Sequence, residues 1–182
     1  MKPINRSTWN DAAVYNDFQR LPSGGYVCRI TAVTDVADKE YLAITYDITE
    51  GDYADYYSDD WGKEHPYAHR FIRSYRDKAL GMFKGFLKAV DESNGTDFGA
   101  TVTDGLDEKK LVGKVVGLIL REEEYESNRG DIRTRLSVHR AVSTDTIRSG
   151  NYKVPDVKRL DGGAPAPSAP AGFELSEDDM PF

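Results

Sequence analysis

Residues 67–95 read YAHRFIRSYRDKALGMFKGFLKAVDESNG, and the hydrophobic period changes within them. From Tyr67 to Tyr75 the stretch reads as a strongly basic strand, with Tyr67, His69, Phe71, Arg73 and Tyr75 on one face. From Asp77 to Glu92 the spacing lengthens. Leu80, Phe83, Leu87 and Val90 recur at helical intervals, joined by Met82 and Phe86, which predicts an amphipathic helix. Asn94-Gly95 supplies the left-handed stop that ends such a helix. Gly81 and Gly85, four apart inside it, are expected to allow close packing against a sheet.

Working outward, two strands are predicted before this unit and two after it. Pro22-Ser23-Gly24-Gly25 is a turn signal. Tyr26–Val36 follows it, rich in β-branched residues. Asp38-Lys39 turns the chain into Tyr41–Thr49, where Leu42, Ile44, Tyr46 and Ile48 alternate onto one face. Cys28 is expected in the core of the first strand. A polar loop, residues 50–66, leads to the basic strand. After the helix, Asp107–Leu111 reads as a single turn. Lys114–Tyr125 and Ile132–Val142 are then strands joined by a turn at Asn128-Arg129-Gly130-Asp131. Strand, strand, strand, helix, strand, strand is the element order of a five-stranded oligonucleotide/oligosaccharide-binding (OB) barrel with one helix between strands 3 and 4. An α+β sandwich is the alternative with the same strand count. The expected organisation is an N-terminal arm (1–23, with Trp9, Tyr15 and Phe18 and a short helix at 11–18), an OB domain (24–160), a Gly/Pro/Ala linker (161–172) and a terminal peptide (173–182).

Charge divides the chain in the same place. Of 182 residues, 24 are Lys or Arg and 31 Asp or Glu, for a net charge of −7. All 24 bases lie within residues 1–160, whose net charge is −2. The remaining five acids, Asp161, Glu174, Glu177, Asp178 and Asp179, have no base among them. Such asymmetry suggests a functional tail on a nearly neutral body. One cysteine excludes an internal disulfide framework and a Cys-based zinc site. No apolar run approaches the roughly 20 residues that span a bilayer, and no apolar stretch follows the N-terminal charge. The expectation is a cytoplasmic protein without a membrane partner. Neither a GxxxxGK[ST] loop nor a GxGxxG opening a helix is present, so no nucleotide cradle and no cofactor are expected.

The sequence ends Ser176-Glu177-Asp178-Asp179-Met180-Pro181-Phe182. An acidic run closed by an apolar residue, Pro and Phe after a low-complexity spacer resembles the C-terminal tip of bacterial and phage single-stranded DNA-binding proteins (SSBs). An acidic tail is also a common solubility device. That explains the charge but not the Met-Pro-Phe ending. The resemblance implies that Asp178, Asp179, Met180, Pro181 and Phe182 dock replication, recombination or repair proteins. Phe182 would enter an apolar pocket, its carboxylate would meet a basic rim, and the acids would steer the encounter. The body is similar, more loosely, to SSB-like proteins of phages and mobile elements of Gram-positive bacteria. The stretches concerned are Leu21-Pro22-Ser23-Gly24-Gly25-Tyr26-Val27, Arg70-Phe71-Ile72-Arg73-Ser74-Tyr75, Glu122-Glu123-Glu124-Tyr125 and Lys153-Val154-Pro155. The tetramer of the cellular bacterial protein does not carry over, and the sequence leaves homo-oligomerisation open.

Bases interleaved with rings fit the same reading. Residues 63–88 hold seven bases against two acids. Arg129, Arg133, Arg135 and Arg140 gather on the last hairpin, against Asp131. Unpaired DNA needs cations along its phosphates and flat rings under its bases, each stack contributing roughly 1–3 kcal/mol whatever the base. The predicted DNA-binding residues are Trp61, Tyr57, Tyr67, Arg70, Arg73, Tyr75, Arg76, Arg129, Arg133 and Arg135. The bland reading is a solvated basic face over a core that contains Phe71, Tyr46, Phe83 and Phe86. The expected function is non-sequence-specific binding and protection of single-stranded DNA, without catalysis. Two other classes stand beside it. Asp52, Asp55, Asp59, Asp60 and His65 suggest a metal-dependent nuclease, although carboxylates on one loop lack the rigid placement that two metals require. The near-neutral body suggests an OB-fold adaptor that binds protein and no DNA.

Overall fold

The computed structural model describes residues 20–160, together with Pro3 and Asn5–Ser7. The predicted short helix at 11–18, the linker and the terminal peptide lie outside the described residues. Five strands form one antiparallel sheet: β1 (Gly24–Val36), β2 (Tyr41–Ile48), β3 (Arg70–Ser74), β4 (Val115–Glu126) and β5 (Ile132–Val142). The helices are α1 (Asp60–Glu64), α2 (Leu80–Asn94), α3 (Phe98–Thr101) and α4 (Thr144–Arg148). The protein is thus mainly β, and its longest helix lies between β3 and β4 as the hydrophobic period predicts.

The sheet order is β3-β2-β1-β4-β5. β1 is central and serves two partners. Gly24–Arg29 pairs with β4, and Cys28–Val36 with β2, across a register shift at Ile30/Ala32. Such an irregularity bends a strand and increases its twist. Inward-facing Leu42, Ile44, Tyr46 and Ile48 join Cys28, Ile30, Phe71, Val116, Leu118 and Leu120 in one core. α2 closes that core with Phe83, Phe86, Leu87 and Val90.

The expected barrel is not closed: no ladder joins β3 to β5 among the described residues. The reason lies in the two elements at the seam. β3 is five residues long rather than the nine predicted, because Pro66 starts a 3-10 turn that runs to His69. α2 packs chiefly on β3, β4 and β5 rather than on the two strands between β3 and β4. A helix can reach both outer strands in this way only if the sheet curls around it, and it then occupies the space that edge pairing would need.

Local chemistry accounts for the other boundaries. The helix opens as a 3-10 turn at Asp77–Ala79 before α2 begins at Leu80. Gly95 ends it at φ +64°, as Asn94-Gly95 suggests. Leu80 and Met82 are about half exposed rather than buried. Leu80 lines an open apolar groove of about 560 Å³ with Tyr75, Phe83, Val102 and Leu106. Gly81 and Gly85 do not serve close packing, since a Cβ on either would meet nothing within 4 Å. Leu21, at the root of the arm, is fully buried, and its N–H donates to Tyr56 Oη at 3.2 Å.

The chain after β5 returns to the outer face of the sheet. α4 packs on β4 and β1. Gly25 and Gly117 leave the room it needs, because a Cβ on Gly117 would come within 2.6 Å of Ile147 and one on Gly25 would overlap Tyr152. Farther on, Lys158 forms a parallel bridge with Glu123, on the stretch of β4 beyond its pairing with β1.

Candidate nucleic-acid interface

The predicted binding residues separate into two groups and a buried remainder. The first group stands on the connection between β2 and β3. Asp47, near the end of β2, organises it. Its Oδ1 accepts from the N–H groups of Ile48 (2.8 Å) and Tyr57 (3.0 Å), and its Oδ2 from Ser58 Oγ (2.6 Å). Asp59 then caps α1 by accepting from Gly62 N–H at 2.7 Å. α1 sets Trp61 and His65 one turn apart, and their rings stack at 4.7 Å with 15° between planes. His65 Nδ1 lies 2.8 Å from the Trp61 carbonyl oxygen. Trp61 remains 44 % exposed and Tyr67 75 %. The Arg70 guanidinium lies 4.7 Å from the centroid of the Tyr67 ring. Two ring surfaces, one backed by an imidazole and one by a guanidinium, therefore face solvent within a ten-residue stretch.

The second group is the β4–β5 hairpin. Arg129, Arg133 and Arg135 are exposed there. Arg135 lies over the Tyr125 ring at 5.2 Å and 3.5 Å from Glu123. Arg133 is 3.9 Å from Asp131. Glu123 also meets Lys158 Nζ at 3.0 Å. Burial works against ionisation of Glu123, but Lys158 and Arg135 outweigh it and hold the carboxyl below its ordinary range. Arg133 and Arg135 are exposed, whereas the Glu123 carboxylate that Arg135 and Lys158 share is mostly covered.

Tyr57 and Arg73 lie inside the protein, not on its surface. Tyr57 is 6 % exposed, stacks on His69 at 4.5 Å and meets Tyr46 and Tyr56 edge-on. Burial, then Tyr56 and Cys28, raise its phenol well above the ordinary value, against a smaller lowering by the hydrogen bond with Tyr46. It belongs to the core and offers no face to a base. Arg73 is 7 % exposed and stacks on Phe71 at 4.7 Å, and its Nη1 donates to the Ile72 carbonyl at 2.9 Å. Burial lowers its pKa to about 10, so it remains a cation at neutral pH. Tyr75 is half-buried beside Phe83 and donates to Asp35 Oδ1 at 2.9 Å. Burial, then that bond, push its phenol up to about 12. Arg76 pairs with Glu40 at 3.8 Å.

The acidic loop is not drawn into a cation cage. Among the described residues no group of three or more His, Cys, Asp or Glu could hold a metal ion. Asp59 caps α1, Asp60 pairs with Lys63 and His65 stacks on Trp61. The stacking role of His65 is absent from the predicted site, although Trp-x-x-x-His after an Asp cap is a legible signal for it. The tip residues Asp178, Asp179, Met180, Pro181 and Phe182 lie outside the described residues. In comparisons with known proteins, no family model and no curated protein matches the chain.

Proposed function

We propose that this is a non-catalytic single-stranded DNA-binding protein of the SSB type, which covers unpaired strands and recruits DNA-processing proteins through its terminal peptide. One observation carries the reading: the exposed ring of Trp61 stacked on the His65 imidazole and that of Tyr67 beside the Arg70 guanidinium, on a well-braced connection. Bases stack on such rings without regard to sequence, and the adjacent charges hold the phosphates. The body's net charge is low, and contact with phosphates falls to individual exposed arginines, Arg70, Arg129, Arg133 and Arg135. We read the sheet as an OB barrel left open between β3 and β5. Its strand order and the position of α2 support that reading. Recruitment through the tip rests on the sequence ending alone.

Titration of full-length protein with oligo-dT, followed by tryptophan quenching across salt concentrations, tests the function. Saturable binding that weakens linearly in log affinity against log salt is expected. Absence of binding at low salt would favour the adaptor reading, for which the −2 body is the supporting feature. Incubating labelled strands with magnesium or manganese should leave them intact, and cleavage would restore the nuclease reading.

A further inference from the structure

The β4–β5 ladder contains a register shift opposite Ile119/Leu120. Leu120 pairs with Val138 and Ile119 with Arg140, leaving His139 as the extra residue. Val138 and Ala141 both pack on the core. The bulge therefore turns His139 and Arg140 together toward the face that carries Arg121, which pairs with Ser137 just beyond. The charges of Arg121 and Arg140 act on the His139 ring. Arg121 and Arg140 form no ion pair with a carboxylate among the described residues, although Glu123 stands on the same face and bonds Ser137. Arg121 Nε is buried without an acceptor. Leaving a buried guanidinium nitrogen unbonded beside a second arginine is costly unless an acceptor completes the set.

We propose that the β4–β5 bulge is a seat for one phosphate group, formed by Arg121, His139 and Arg140. Guanidinium forks suit a tetrahedral oxyanion, and several can share its oxygens. Assignment of the seat to an internucleotide phosphate of a bound strand rests on the DNA-binding reading above. The seat itself does not, since a free phosphate presents the same chemistry.

Two measurements separate these. First, inorganic phosphate is titrated into the full chain at constant ionic strength, with chloride as control, while the His139 ring is followed by NMR. A saturable shift with phosphate only is expected. Arg121→Gln should abolish it and Arg121→Lys should retain it in part, with circular dichroism verifying that both variants fold. A response equal to that of chloride, or one unchanged in Arg121→Gln, overturns the seat. Second, oligo-dT is titrated across salt. Arg121→Gln and Arg140→Gln should each reduce the log–log slope by about one, whereas Tyr67→Ala should weaken binding with little change in slope. Wild-type slopes in the arginine variants overturn the strand assignment. A phosphate response without oligo-dT binding overturns the DNA-binding function and leaves a seat for free phosphate.

Discussion

A methyl group placed on Gly62 would overlap the backbone carbonyl of Tyr57, whereas one placed on Gly81 or Gly85 would meet open space. The same substitution therefore acts with opposite sign at these positions. Gly62→Ala should force the β2–β3 connection apart and destabilise by about 1–3 kcal/mol, with weaker oligo-dT binding because Trp61 and His65 move. Gly81→Ala and Gly85→Ala should each stabilise by about 0.5–1 kcal/mol, since glycine is costly within a helix and nothing opposes the methyl. Urea melts of the three variants check both. The two tyrosines Tyr57 and Tyr67 divide in the same way. Tyr67→Ala should lose about 1–3 kcal/mol of strand affinity and leave the melt unchanged. Tyr57→Ala should cost about 3–5 kcal/mol of stability, as removing a packed aromatic does. Equal effects of the two on affinity at full folding would contradict the placement of Tyr57 in the core.

Among the elements, the legible parts of the sequence were those with a sustained period. β5 has the predicted bounds, and β1, β2 and β4 begin or end within two residues of theirs. β3 was over-extended, since alternation through Tyr67 and His69 mimics a strand while Pro66 imposes a tight turn. Tyr57 could not be assigned to the core from sequence, because its loop is polar and its burial depends on contact with Tyr46 and His69, which are distant in sequence. The cluster at His139 was hidden for a similar reason: a bulge is a property of two strands together. Contact between distant segments also holds α4 in place. Arg148 donates to both carboxylate oxygens of Glu50, from Nη2 at 2.7 Å and from Nε at 3.1 Å. Hydrogen bonding to Arg148 lowers the Glu50 pKa despite a small opposing effect of burial. The pair's contribution is thus complete above the ordinary carboxylate range and is lost as pH falls through the lowered folded value. Hydrogen exchange in residues 144–152 should accelerate below that range, and Glu50→Gln should show the faster exchange already at neutral pH.

On the scale of the whole molecule, a nearly neutral body is followed by residues 161–182, which carry five acids and no base. Removing residues 173–182 should leave oligo-dT affinity unchanged or raise it while abolishing capture of DNA-processing partners, as measured by titration and pull-down with the two chain lengths. Parallel loss of both would contradict the division of labour proposed here. The outer covering of the sheet sets a limit on any shorter version. Ile119 is fully buried yet stands apart from the main core, beside Gly25 and Gly117, under the residues that follow β5. A polypeptide stopped at Val142 would retain every strand and still uncover a greasy strip along β1 and β4, inviting self-association. The smallest autonomous unit therefore extends through Leu160, well past the last strand.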